Sequence, residues 1–186
     1  MAVVGASGYT GAELLRLIVG HPQMRLAAVY GHSTAGNPLA EVFPAFAHSD
    51  LILQSFNADA VAECAQVAFL ALPHGTSQEA AYQLRLRGLI VIDLSADHRF
   101  DDCELYERVY GAEHRYPQML KEAIYGLPEF HREKIKTSQF VACPGCYPTS
   151  VALAVYPALK ADLLSSLEMI ADCKSGVSGA GRSAVN

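Results

Sequence analysis

The sequence predicts an α/β protein: a doubly wound parallel sheet followed by the beginning of a second, α+β domain. Three observations predict it. "VAFLALP" (67–73) and "LIVIDLS" (89–95) are continuous apolar runs, as expected of parallel strands covered on both faces. Strand-like and helix-like segments alternate along the chain, the order that builds a parallel sheet with helices on both sides. The opening "MAVVGASGYTGAELLRLIVGHP" reads as a strand, a glycine turn and a helix.

In that opening, Leu14, Leu15 and Ile18 share one helical face, and His21-Pro22 stops the helix. "RLAAVYG" (25–31) is a second buried strand, and residues 32–46 form a long, turn-rich loop. "TSQEAAYQLRLRG" is a helix with Thr76 or Ser77 near its start and Gly88 at its end. Residues 96–138 are more polar and aromatic, with weaker periodicity, and read as an excursion from the sheet. "QFVAC" (139–143) is another strand, residues 148–164 a helix, and residues 166–176 a strand entering a glycine-rich loop. The expected boundary divides 1–146 from 147–186. One helix and one strand bury too little to form a domain, so a C-terminal portion is expected beyond Asn186.

Composition excludes several function classes. The 186 residues carry 14 Lys+Arg against 19 Asp+Glu, a net charge of -5, which argues against a nucleic-acid surface. No stretch approaches the roughly 20 apolar residues of a membrane span. The N-terminus has no basic segment of the kind that opens a secretory leader. Five cysteines (Cys64, Cys103, Cys143, Cys146 and Cys173) are an odd number in a long chain, not a disulfide framework. A reduced, cytoplasmic protein is expected.

The glycine turn "GASGYTG" places Gly5, Gly8 and Gly11 three apart between strand and helix. This departs from G-x-G-x-x-G but meets the same needs: a tight turn, close approach of a pyrophosphate to N–H groups, and close helix–strand packing. The fold expected is thus Rossmann-type, with Gly5, Ser7, Gly8, Tyr9, Thr10 and Gly11 toward a dinucleotide. A purely structural turn is the alternative. After the second strand, Tyr30-Gly31-His32-Ser33-Thr34 lacks the acid that binds the ribose hydroxyls of NAD. That favours NADP, with Ser33 and Thr34 as candidate phosphate donors.

"ACPGCYPTS" (142–150) carries Cys143-Pro144-Gly145-Cys146, a spacing shared by redox dithiols, zinc half-sites and some nucleophile turns. A thioredoxin-like motif lies early in its domain, and a zinc site needs a second ligand pair. Neither condition is met, and no metal is expected. Cys146 follows a strand and a Pro-Gly turn and precedes a helix. Helix N-termini favour the thiolate. Beside a nicotinamide, its natural chemistry is aldehyde or acyl-phosphate redox through a thioester. Cys143, Cys64, Cys103 and Cys173 read as small structural residues.

Together, "GASGYTGAELLRL", "LALPHG", "DLSADHRF", "YGLPE", "PGCYPT" and "SGVSGAGR" resemble the N-acetyl-gamma-glutamyl-phosphate reductase family of arginine biosynthesis. The motifs run in the family's order over nearly the whole chain. The resemblance implies NADPH-dependent reduction of N-acetyl-glutamyl 5-phosphate to the semialdehyde, with Cys146 as nucleophile. It places Pro73 and His74 near the nicotinamide. Arg99, Ser178, Gly179 and Arg182 are implied for substrate anions, with an Arg99 ion pair to Asp97 or Asp101 as the plainer reading. Tyr125 and Glu129 frame a turn. A homo-oligomer, dimer or tetramer, is implied. The family's acid/base histidine lies well past "SGAGR", and none of the seven histidines here matches it. Two departures stand out: His32 where the family commonly carries a Ser-Arg pair, and Cys143, whose spacing allows an oxidative bridge to Cys146. Related acids such as aspartyl or aminoadipyl phosphate, or a non-catalytic NADP(H)-binding module, remain as alternatives.

Overall fold

A computed structural model describes residues 1–164 and 168–182. In chain order the elements are β1 (Ala2–Val4), α1 (Tyr9–Val19), β2 (Ala28–Tyr30), α2 (Leu39–Val42), α3 (Ala58–Cys64), β3 (Val67–Leu70), α4 (Ser77–Leu86), β4 (Ile90–Asp93), α5 (Cys103–Tyr110), α6 (Pro117–Glu122), β5 (Ile124–Tyr125), α7 (Pro128–Thr137), β6 (Phe140–Ala142) and α8 (Cys146–Lys160). The strands form one six-stranded sheet in the order β2-β1-β3-β4-β6-β5. Every neighbouring pair is parallel.

The sheet has a core on each face. Val4, Leu70 and Val91 pack into one cluster with Leu84 and Phe140. Val3, Phe69 and the half-buried Ile92 turn to the other, with Leu15 and Ile18 of α1. Successive strand residues point to opposite faces, so a strand covered on both sides must be apolar throughout. That is the physical origin of the continuous runs. The face of α1 expected from periodicity is the one buried: Leu15 and Ile18 are inaccessible or nearly so, each worth about 2 kcal/mol of burial.

The excursion over 96–138 contributes more than expected. Its two-residue β5 adds an edge strand, and α7 carries the chain across to β6, parallel to it. The sequence reading also passed over α3. Asn57 caps that helix, its side-chain oxygen accepting from the N–H groups of Asp59 at 2.9 Å and Ala60 at 3.0 Å. Asn57→Ala is expected to lower stability by about 1 kcal/mol, read as the shift of a chemical unfolding midpoint.

The strands are shorter than the apolar runs that predict them, α2 lies inside the loop expected over 32–46, and the C-terminal part differs further. The helix expected over 148–164 runs from Cys146 to Lys160, because Gly145 is already extended and acts as its N-cap. Of the strand expected over 166–176, the described part does not form. Residues 168–176 adopt no regular element, while positions 166 and 167 lie outside the described residues. A strand needs a partner for its backbone groups. All six described strands belong to the first sheet, and Ile170 stands fully exposed. Among the described residues, no helix is long and apolar enough to cross a membrane.

Candidate active site

The chain runs from β1 to β2 on one side and places β3 on the other side of β1. Such a reversal opens a crevice at the carboxyl ends of the strands. Gly5 sits at its mouth with φ +85, and its N–H donates to the Tyr30 carbonyl at 2.9 Å. A Cβ there would lie 2.3 Å from the Ala71 carbonyl oxygen beyond β3, and a Cβ on Gly11 would lie 2.4 Å from the Gly5 oxygen. Only glycine lets the loop close this tightly. Gly8 is the N-cap of α1 and no side chain caps the helix. The first-turn N–H groups of Tyr9, Thr10 and Gly11 therefore remain donors for an anion. A dinucleotide's pyrophosphate fits this cradle.

At the exit of β2, His32 and Ser33 are exposed, whereas Thr34 is half-buried. Thr34 Oγ1 turns inward against Gly31 and is buried without a partner among the described residues. Ser33 thus presents its side chain outward, and the Thr34 hydroxyl does not.

The exits of β3 and β4 hold a polar network that the sequence reading missed. Asp93 and Asp97 are both fully buried. Asp93 accepts from Ser77 Oγ at 2.8 Å, Ser95 Oγ at 2.9 Å and His98 Nδ1 at 2.6 Å. Asp97 accepts from the N–H groups of Gly75 at 2.7 Å and Ser77 at 2.9 Å, and from Tyr106 OH at 3.3 Å. His74 Nδ1 lies 2.9 Å from Asp97 Oδ1. Asp97 therefore pairs with His74, not with Arg99. Arg99 instead donates from Nε to the Cys143 carbonyl at 2.9 Å and from Nη2 to the Leu94 carbonyl at 3.1 Å. Its Nη1 lies 3.1 Å from where a Cβ on Gly145 would sit. Arg99 thus stitches β4 to the Pro-Gly turn beside Cys146 and keeps one nitrogen toward that turn.

His114 closes the network. Its Nδ1 accepts the Tyr116 N–H at 3.2 Å, so its proton sits on Nε2, which is buried without a hydrogen-bond partner of good geometry among the described residues. Burial, followed by repulsion from His98, lowers its pKa to about 4. The folded state then resists a proton that the unfolded chain takes up near pH 6.5. Stability is complete above that pH and is lost as pH falls from about 6.5 toward 4, by at most about 3 kcal/mol. His114→Asn keeps an acceptor for Tyr116 and removes the titration. Urea unfolding at pH 7.5 and 4.5 is expected to show a smaller acid-side loss in the variant.

Cys146 is the first residue of α8 and is exposed. Cys143 differs: burial, then the neighbouring Asp93, pushes its thiol up to about 11. No disulfide joins the two. Among the described residues, no group of three or more His, Cys, Asp or Glu side chains could hold a metal. Tyr147 donates to Ser175 Oγ at 2.9 Å, bringing the glycine-serine loop to the start of α8. Ser178 and Gly179 lie in its 3-10 turn, Val177–Ala180. Arg182 reaches elsewhere. Its Nη1 donates to the Ser7 carbonyl at 3.2 Å, and its guanidinium lies 5.1 Å from the centre of the Phe43 ring. The structure groups it with the glycine turn.

A phosphate-cradling turn at the switch point of a parallel sheet, with an exposed cysteine opening a helix along the same edge, defines a dinucleotide-binding protein equipped with a thiol. Comparison with known proteins narrows the class. The family model "Semialdehyde dehydrogenase, NAD binding domain" matches residues 1–138, and "Semialdehyde dehydrogenase, dimerisation domain" matches residues 146–186. The chain belongs to the semialdehyde dehydrogenase family. It is 46% identical to the N-acetyl-gamma-glutamyl-phosphate reductase of Acinetobacter baylyi over 187 residues, covering 99% of this chain and 53% of that protein. It is 49% identical to the protein of the same name from Geotalea daltonii over 185 residues, covering 99% and 53%. The chain thus spans about half the length of these curated relatives. Aspartate semialdehyde dehydrogenase II from Vibrio cholerae superposes with a TM-score of 0.68 at 16% identity, covering 99% of this chain and 48% of that one. The Francisella tularensis aspartate semialdehyde dehydrogenase gives 0.63 at 16% identity, covering 98% and 46%. These two structures share the fold.

Proposed function

We propose that the protein reduces N-acetyl-L-glutamyl 5-phosphate to N-acetyl-L-glutamate 5-semialdehyde with NADPH, in L-arginine biosynthesis. The observation that carries this reading is Cys146, exposed at the first position of α8 on the sheet edge that bears the glycine turn. Its thiolate attacks the acyl carbon, the acyl–oxygen bond breaks, and inorganic phosphate leaves a thioester on Cys146. Splitting acyl transfer from reduction lowers both barriers. When bound, the reduced nicotinamide supplies the hydride that converts the thioester to the aldehyde. The hydride step regenerates the Cys146 thiolate, and the proton of the overall balance goes to the departing phosphate. N–H groups at the start of α8, including that of Cys146, face the developing oxyanion.

In this reading Gly5, Ser7, Gly8, Tyr9, Thr10 and Gly11 hold the pyrophosphate, with Arg182 adding charge beside the Ser7 carbonyl. Ser33 contacts the 2′-phosphate, and Pro73 and His74 border the nicotinamide half. Arg99 keeps the Cys146 turn in place and offers Nη1 to the substrate's phosphate, while Ser178 and Gly179 offer a hydroxyl and an N–H. Residues 1–146 form the cofactor domain, and residues 147–186 begin a catalytic domain that also pairs subunits of a cytoplasmic homo-oligomer. The very similar relatives named as this reductase support the assignment of substrate.

The test is phosphate-dependent NADP reduction by the complete gene product, with N-acetylglutamate semialdehyde beside aspartate and aminoadipate semialdehydes. Turnover confined to the acetylated substrate is the expected result. Turnover only with another semialdehyde keeps the mechanism and overturns the pathway. NADP binding without turnover on any of them overturns the enzyme reading in favour of a nucleotide-binding module.

A further inference from the structure

We propose that Asp97 is a positioning residue for the cofactor: it holds His74 so that Nε2 faces the crevice as a hydrogen-bond acceptor for a donor on the nicotinamide half of the dinucleotide. The inference deepens the cofactor reading above and rests on it.

The argument begins with the carboxylate. Asp97 is fully buried, yet its oxygens meet only donors: the N–H groups of Gly75, just before α4, and of Ser77, its first residue, the Tyr106 hydroxyl and His74 Nδ1. A buried carboxylate must be paired to be tolerated. Because Asp97 accepts at Nδ1, that nitrogen carries the ring's proton, and in the neutral ring Nε2 is left with its lone pair. The ring is also clamped. It lies 4.4 Å from the Tyr110 ring and 6.0 Å from that of Tyr106, centre to centre.

Pairing alone does not account for where this histidine sits. His98, the partner of Asp93, is wholly buried, whereas the His74 side chain is left 40% exposed beside an equally buried carboxylate. His74 follows the end of β3 by four residues, and β3 forms one wall of the crevice in which Gly5 closes on Ala71. A rigid acceptor at that place suits a donor from a dinucleotide laid across the switch point. Two such donors exist on the nicotinamide half, the ribose hydroxyls and the carboxamide N–H.

The test is carried out on the complete gene product, measuring NADPH affinity by its fluorescence without acyl substrate. His74→Asn keeps an N–H for Asp97 and removes Nε2. His74→Gln puts an acceptor oxygen back near Nε2. We expect the Asn variant to weaken NADPH about tenfold and the Gln variant to recover most of that loss, at closely similar melting temperatures. Asp97→Asn is expected to weaken NADPH in the wild-type background and to add nothing in the His74→Asn background, because its effect passes through the ring. A purely structural Asp97 would cost the same in both. If Asp97→Asn does not fold, the Asn–Gln comparison at His74 decides alone. The 3-acetylpyridine analogue of NADP separates the donors: a His74→Asn penalty that persists assigns a ribose hydroxyl, and one that disappears assigns the carboxamide. Tight wild-type binding with an unchanged His74→Asn variant, or equal losses in Asn and Gln, overturns the proposal while leaving the cofactor reading intact. A wild-type protein that fails to bind NADPH overturns both. None of these readings depends on the thioester chemistry.

Discussion

Replacing Cys146 with serine is expected to reduce turnover by roughly 10⁴-fold or more while NADPH binding stays within about twofold. The alcohol is the same size and sits at the same first helical position, so packing changes little: Cys146 is exposed and takes no part in the core. What changes, in the proposed reaction, is the nucleophile. A serine hydroxyl at neutral pH needs an adjacent base to attack, whereas sulfur is the stronger nucleophile. Cys143→Ser is the control. Cys143 is half-buried, and its thiol is pushed up to about 11, by burial first, outside the range of a working nucleophile at neutral pH, so this variant is expected to keep most of the activity. Stopped-flow turnover of both variants in the complete gene product is the check. Comparable losses in the two would shift the chemistry from a single thiol to the dithiol.

Gly5→Ala is the second large effect, and it acts through the backbone. The residue has φ +85, a conformation costing an L side chain on the order of 1 kcal/mol or more. The new methyl carbon would also stand 2.3 Å from a main-chain oxygen at Ala71, which cannot swing aside like a side-chain tip. Either the glycine turn or the β3 exit must shift, for a combined loss of about 3 kcal/mol. Those two segments are the walls of the crevice, so NADPH affinity is expected to fall at least about tenfold with the melting temperature. Gly88→Ala supplies the contrast: it also has positive φ, but a Cβ there meets nothing within 4 Å. It is expected to lose stability modestly and bind NADPH normally. Thermal melts with and without NADPH separate the two behaviours.

The fold was legible where burial on both faces imposes a continuous apolar run, as in β3 and β4, and where glycine marks a strand-to-helix turn. β5 was not, because two residues carry no period. The candidate site divides in the same way. The glycine turn and Cys146 are local patterns, readable from spacing. Asp93 and Asp97 interrupt apolar or aromatic sequence without declaring their partners: Ser77 lies 16 residues before the first and 20 before the second. A carboxylate closing an apolar strand in "IVID" was the available signal, since a buried acid demands partners. The family resemblance implies substrate-directed cations at Arg99 and Arg182. Their carbonyl acceptors, Cys143 and Ser7, lie 44 and 175 residues away, so only the folded chain could reveal them. The strand expected over 166–176 shows the converse limit: its described part, 168–176, has no strand beside it among the described residues.

The most direct measurement is intact-protein and peptide mass spectrometry of the complete gene product mixed with N-acetylglutamyl 5-phosphate in the absence of NADPH. The account predicts release of inorganic phosphate together with an N-acetylglutamyl adduct on Cys146, discharged when NADPH is added. Phosphate release without an adduct, or an adduct confined to another side chain, would contradict it.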